Sequence, residues 1–576
     1  ADADALTQAA ASRNGTANDG RTVDEILDSL TINQDNPVYG AAVVTEAGGA
    51  QAYLDLLYSV NDYYENDYKG KCPEDHFQVA SQVLGYVLAA ASQWEGETLV
   101  DDLYETIDSQ NGAPGNMAAI NMLLSAPAAH YGTDFLTNLA DKLEDRDPDA
   151  LVPAYQVFAN NKTSTSDPMD GVLTAMDNNP DAALEYLTPE GDGSVDGDGN
   201  WVPDDKARQR WEKLTSRDWD EDVEPLTAAV AGASARRVQS RDATDERAAW
   251  ATGKGLDYAT GLSEQSFSAK AKNNVAVTLR NSMAEIEDAV TGTRDTSGAG
   301  SVSWDSRRPA VLADDHSEDF KTLMKMVGTD DTALATMTDA VGRFSTARTQ
   351  AILDAHPDAV MSVDPGTAES NDSPRLKEEL QTGISNDGMI LGFIEQSAVN
   401  GRKKQGEDEA AAEKTVASTI LGAVTKGLSS VPNPYAQGPG TAIPSASPGI
   451  TSATGKPDKT PVDDATTTMK NTQEQVFQST MAQIANDGRF DESAFTNTDG
   501  TDDATGLDPN GDRDTRMTPY AWMRPDHTID TSTLFDSDEN RQQFNNWLDD
   551  NDIPSSNVKT DYQADLNAGK GHAKDN

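Results

Sequence analysis

Apolar residues recur three and four positions apart along most of the chain, the spacing of one face of a helix. Ile26, Leu27 and Leu30 form such a stripe directly after Thr22-Val23-Asp24-Glu25. A Thr hydroxyl and a Glu carboxylate at that spacing satisfy free amides at a helix start, so the pattern reads as a capping box. Asn36-Pro37 then places a capping side chain before a proline at the first helical position, and Gly48-Gly49 supplies a stop. The punctuation returns at Asp167-Pro168, followed by Met169, Val172, Leu173 and Met176, and at Asn179-Pro180, followed by Ala183, Leu184 and Leu187. Two longer stripes, Phe77 with Val83, Leu84, Val87 and Leu88, and Val275 with Leu279, Met283, Ile286 and Val290, each read as one helix. Alternating β-branched runs are few. The predicted fold is all-α: multi-helical, with short proline-capped helices in several stacked helical blocks.

Two stretches lack the helical period. Gly191 to Asn200 alternates Gly and Asp and reads as an acidic loop, and Ser429 to Asp464 is rich in Pro, Gly, Ser and Thr and reads as a linker. The predicted organisation is a flexible tail over 1–20, an N-terminal helical domain over 21–190 and the acidic loop over 191–205. A middle helical block over 206–310 and a helical block over 311–428 follow. Beyond the linker over 429–464 lie C-terminal helices and a second acidic loop over 465–565, then a tail over 566–576. The 311–428 block carries small residues four apart, at Ser418/Gly422 and Ala423/Gly427. That helix is too short to span a bilayer and contains Lys426, so close helix packing is expected. Asp536-Ser537-Asp538-Glu539 is expected to cap a last helix bearing Phe544, Trp547 and Leu548.

Charge narrows the function classes. The 97 Asp and Glu against 45 Lys and Arg leave a formal net charge of -52. Phosphate-backbone binding draws its affinity from Lys and Arg displacing counterions, so no nucleic-acid partner is expected, and anionic membrane surfaces are excluded for the same reason. No apolar run approaches the ~20 residues of a membrane span. A single cysteine, Cys72, rules out an intrachain disulfide. The chain opens at Ala1 without Met or a signal peptide, and a processed or partial form with targeting elements upstream is expected.

Catalytic signatures are missing from the sequence. There is no Gly-x-Ser-x-Gly elbow and no His-Glu-x-x-His, and the six histidines (His76, His130, His316, His356, His527 and His572) show no ligand spacing. Cys72 lies near His76 but lacks a cationic setting for a thiolate. Gly253-Lys254 and Gly455-Lys456 lack the remaining residues of a phosphate loop. The acidic runs offer weak calcium candidates: Asp192, Asp196, Asp198 and Asn200, and separately Asp508, Asn510, Asp512 and Asp514. Both depart from the helix-loop-helix calcium motif. Trp201 or Arg513 stands at its glycine position, and Ala207 or Pro519 at its closing glutamate. No catalytic residue and no cofactor are expected.

Asn179 to Leu187, Leu214 to Trp219, the Leu279 to Val290 stripe, the small-residue helix around Gly422 and the late Phe544/Trp547/Leu548 helix occur in that order. In these pieces the chain resembles a family of uncharacterised, large, helical actinobacterial proteins associated with WXG-like, type VII secretion and with polymorphic-toxin loci. The resemblance implies a context and no reaction. The expected function is that of a non-enzymatic structural or protein-interaction module of an exported protein, secreted or at the cell surface, with a protein partner or self-association. A self-assembling surface or particle component is the alternative, and an enzyme with an unrecognised site ranks below both.

Overall fold

A computed structural model of the protein describes residues 2–107, 115–147, 158, 165–219, 222–237, 243–292, 312, 316–360, 373–429, 465–490, 492–496, 502–508, 510, 519–550 and 555–574. The expected linker, from residue 430 onward, lies outside them. The helices of the first part are α1 (Asp2–Ala11), α2 (Val23–Ile32), α3 (Pro37–Ala47), α4 (Ala50–Asp62), α5 (Pro73–Ile107), α6 (Asn116–Leu124), α7 (Thr133–Leu143), α8 (Asp170–Met176) and α9 (Pro180–Leu187). A hairpin of β1 (Gly193–Val195) and β2 (Trp201–Pro203) leads to α10 (Asp205–Ser216), α11 (Glu224–Ser234), α12 (Ala243–Thr260), α13 (Ala269–Arg280) and α14 (Met283–Thr291). The remainder comprises α15 (Ser317–Val327), α16 (Asp331–Ala355), α17 (Ser373–Lys404), α18 (Glu409–Ser429), α19 (Ala465–Asn486), α20 (Thr531–Leu534), α21 (Asp538–Asp550) and α22 (Ser555–Lys574). The fold is all-α, and the hairpin is the one regular sheet among the described residues.

Local chemistry sets the helix starts. The Thr22 hydroxyl accepts from the Glu25 amide while the Glu25 carboxylate accepts from the Thr22 amide, completing the capping box of α2. Asn36 and Asn179 cap α3 and α9, each ahead of a proline. In the first part, α2, α3, α4, α6 and α7 all pack on α5. From Val83 to Ala91, α5 is buried on nearly every side, as expected for a helix apolar all round. Gly40 of α3 meets its backbone directly: a Cβ there would lie 2.7 Å from the Val87 carbonyl oxygen. Only glycine permits that approach.

Four expectations are corrected. The 1–20 tail contains α1, whose Ala3, Leu6 and Ala9 are fully buried. The Asp2 carboxylate ties α1 down, accepting hydrogen bonds from Tyr39, Ser29 and Arg21. The 566–576 tail likewise falls largely within α22, which lies along α17 and buries Leu566 and Ala573. Gly392 and Gly569 let the two backbones touch, against the carbonyls of Leu566 and Met389 respectively. The 191–205 loop is a hairpin running into α10. Finally, the stripe from Val275 to Val290 breaks at Asn281-Ser282 into α13 and α14. Arg237 donates to the Asn281 carbonyl and the Ser282 hydroxyl, holding the break open.

Helix α11 joins the parts. Its Pro225 to Ser234 are all buried, and its small side chains let it pack at once on α8, α9, α12 and α13. Buried side chains from Leu6 to Ala573 form a contiguous cluster. Deeper in the chain, Arg348 bridges Glu287 at 2.6 Å and Asp387 at 2.8 Å, tying α16 to α14 and α17. Helix α18 packs on α16, α17 and α19, with Val416, Ala417 and Ile420 fully buried. No helix among the described residues is long and apolar enough to cross a membrane.

Candidate functional site

An open groove of about 480 Å³ lies between the hairpin, α10 and α12. Helical spacing builds both walls. On α10, Arg208, Trp211, Glu212 and Thr215 share one face, and on α12, Trp250, Lys254, Asp257 and Tyr258 share the facing stripe. The hairpin closes one end by laying the buried Trp201 edge-on against Trp250, with ring centroids 5.3 Å apart. Trp250 meets Trp211 at 6.2 Å and Trp211 meets Tyr258 at 6.5 Å, both edge to face. Burial pushes the Tyr258 hydroxyl above its ordinary range, so it stays neutral. The basic rim is already engaged: Arg208 pairs with Asp205, and Lys254 Nζ sits 3.4 Å from Asp257.

Beside the groove, Asp257 takes part in a second arrangement. His316, at the start of α15, has a side chain only 4% exposed, and its Nδ1 lies 2.8 Å from an Asp319 oxygen and 3.5 Å from an Asp257 oxygen. One ligand atom from each of the three residues lies within 4.8 Å of the others. Gly253 makes this possible, because a side chain there would press on His316 Nε2 at 3.1 Å. The Gly-Lys pair at 253–254 thus admits an imidazole against α12.

Several other residues singled out from the sequence hold local structural contacts. The Asp192 carboxylate accepts the amides of Lys206 and Ala207 and caps α10 from a distance. Asp196 accepts the amides of Asp198 and Asn200 at 2.9 Å each and closes the hairpin turn. Those amide bonds hold its carboxyl below the usual range. Asp198 is exposed, and Asn200 pairs its carbonyl with the Asp196 amide. In the second loop Asp508 accepts the Asn510 amide, while Asp512 and Asp514 lie outside the described residues. Cys72 is exposed and in the left-handed region at φ 53. Its neighbour His76 bonds the Tyr68 hydroxyl at 2.9 Å. His130 contacts the Asn178 carbonyl, His356 contacts Glu379, and His527 contacts Asp502.

The His527 pair belongs to an aromatic C-terminal cluster. Phe495 stacks flat on His527 at 4.7 Å. Burial works against the Asp502 carboxylate, but its bonds to His527 and Thr505 outweigh this and hold it low. Burial and the adjacent Asp502 charge push Asp503 the other way, up to about 6.

Neither the groove nor the His316 cluster was picked out from the sequence. The stripe Trp250, Lys254, Asp257, Tyr258 was detectable by its period. The meeting of Asp257 with His316 depends on α12 packing against α15, which no local spacing encodes.

Basic side chains are drawn inward across the fold. Arg210, Arg237, Arg247, Arg348, Arg402 and Arg489 are all buried, bonded to carboxylates or carbonyls, so the excess carboxylates dominate the surface. No curated protein and no solved structure matches the chain. The model of a family of unknown function, DUF6571, matches residues 1–572, and the chain belongs to that family.

Proposed function

We propose that the chain is a non-enzymatic interaction module that recognises a basic segment of a protein partner in the groove between α10 and α12. The supporting observation is the aromatic lining of Trp211, Trp250 and Tyr258 with the Glu212 and Asp257 carboxylates at its edge. Aromatic faces attract cations within about 6 Å of the ring centre, and carboxylates complete an Arg or Lys site. The net charge of -52 favours basic partners and speeds their encounter. The secreted or cell-surface setting, the actinobacterial source and the type VII association are part of this reading and rest on the family resemblance described above.

The test is a fluorescence titration with peptides that differ only in carrying Arg, Lys or Glu at the centre. Arg and Lys peptides are expected to bind and to weaken with salt, and Trp250→Ala is expected to abolish binding while leaving helicity unchanged. Equal affinity for the Glu peptide overturns the reading. So does turnover of hydrolase or transferase substrates that is lost on mutating one polar residue without loss of fold.

A further inference from the structure

We infer that Asp257, His316 and Asp319 form a binding site for one divalent transition-metal ion of the zinc type. Two carboxylates converge on the same ring nitrogen, His316 Nδ1, at 2.8 and 3.5 Å. That nitrogen carries at most one hydrogen. It serves Asp319 well and leaves the Asp257 oxygen beyond good hydrogen-bond length. An ion at the centre of the three atoms satisfies all of them at once.

Geometry agrees. Zn-N and Zn-O distances of about 2.0 to 2.2 Å place neighbouring ligand atoms roughly 3.0 to 3.5 Å apart, depending on coordination number. The two separations from His316 Nδ1, 2.8 and 3.5 Å, fall close to that span, and the two carboxylate oxygens lie within 4.8 Å of each other. Ligand chemistry selects the ion, since an imidazole in the set favours zinc over calcium or magnesium, which prefer all-oxygen sites. The imidazole is fixed by Gly253 behind it and by Phe320, whose ring centroid is 6.5 Å away. Asp319 is partly exposed and Asp257 is 46% exposed, which gives the ion an entry path and leaves further positions for water. Because Asp257 also lines the groove and faces Lys254 at 3.4 Å, a bound ion would compete with Lys254, and with a basic ligand, for that carboxylate. The site itself does not depend on the groove reading.

The experiment is calorimetric titration of the full chain with Zn²⁺ alone, in a large excess of Mg²⁺ that saturates unspecific surface carboxylates. One saturable site per chain is expected. Asp319→Asn and Asp257→Asn are expected to weaken it by about tenfold or more, and His316→Gln to remove it. Asp257→Asn is nearly isosteric and at the surface, so it keeps the test valid if the buried His316 variant misfolds. Co²⁺ substitution gives an independent readout, a visible absorption band that His316→Gln abolishes. Absence of a saturable Zn²⁺ site, or a site of equal affinity in Asp257→Asn and Asp319→Asn, overturns the inference.

Discussion

Trp547 offers the sharpest test of the packing argument. It is 1% exposed on α21, and its ring lies within 5.6 to 5.9 Å of Phe490, Phe495, Trp522 and Phe544. Its Nε1 donates to the Ala494 carbonyl at 3.0 Å. Trp547→Ala removes the ring, leaves a cavity among four aromatic neighbours and strips the carbonyl of its donor. Buried aromatic truncation costs about 3 to 5 kcal/mol, and the loss of several ring contacts places this site at the upper end. Trp547→Phe keeps most of the ring contact and loses the N–H, so it is expected to cost only about 1 to 2 kcal/mol. Urea unfolding followed by ellipticity gives the global change, and hydrogen exchange in α19 and α21 gives the local one. If Trp547→Ala costs under ~1 kcal/mol, or no more than Trp547→Phe, the ring cluster is not what holds these helices together.

Three further outcomes follow from other features. Asp503, pushed up to about 6, binds its proton more tightly in the fold than in the unfolded chain, so its contribution is present at low pH and is lost as pH rises through about 6. Urea midpoints are expected to rise as pH falls from 7 to 5, by about 1 kcal/mol from this group, and Asp503→Asn to remove that share, leaving the part due to Asp177 and Asp387, which burial also pushes up to about 6. Added salt is expected to raise the thermal midpoint. The -52 charge repels itself, and going from ~0.1 M to ~1 M NaCl shortens the Debye length from ~10 to ~3 Å; coincident midpoints would mean local compensation. Gly569→Ala forces a methyl into the Met389 carbonyl and is expected to cost about 1 to 3 kcal/mol, read as faster exchange throughout α22.

Elements that carry their own cap were legible in the sequence. Thr22 to Glu25, Asn36-Pro37 and Asn179-Pro180 each mark a helix start with side chains that do so in the structure. Helices buried through small residues were not. α1 hides a face of alanines around one leucine, and α22 docks through Gly569, so neither offers a strong apolar stripe. The Val275 to Val290 stripe kept its period across a real break, because all five residues face the core on both sides of Asn281. The contact that Asp192 makes with the start of α10, fifteen residues away, leaves no local trace in the sequence. The His316 cluster was hidden by the same distance between partners. The side chains of one site came from helices whose packing had first to be known.

The α17–α22 contact also sets an order of events during synthesis. Ser385 reaches Asp565, and Glu395 reaches Lys570, across separations of 180 and 175 residues. At roughly 5 to 20 residues per second, a ribosome needs on the order of ten to thirty seconds to make that stretch. For that interval the glycine-notched face of α17 stands uncovered in the nascent chain. The apolar surface that α22 covers in the finished fold is therefore exposed until the last part of the chain has been made.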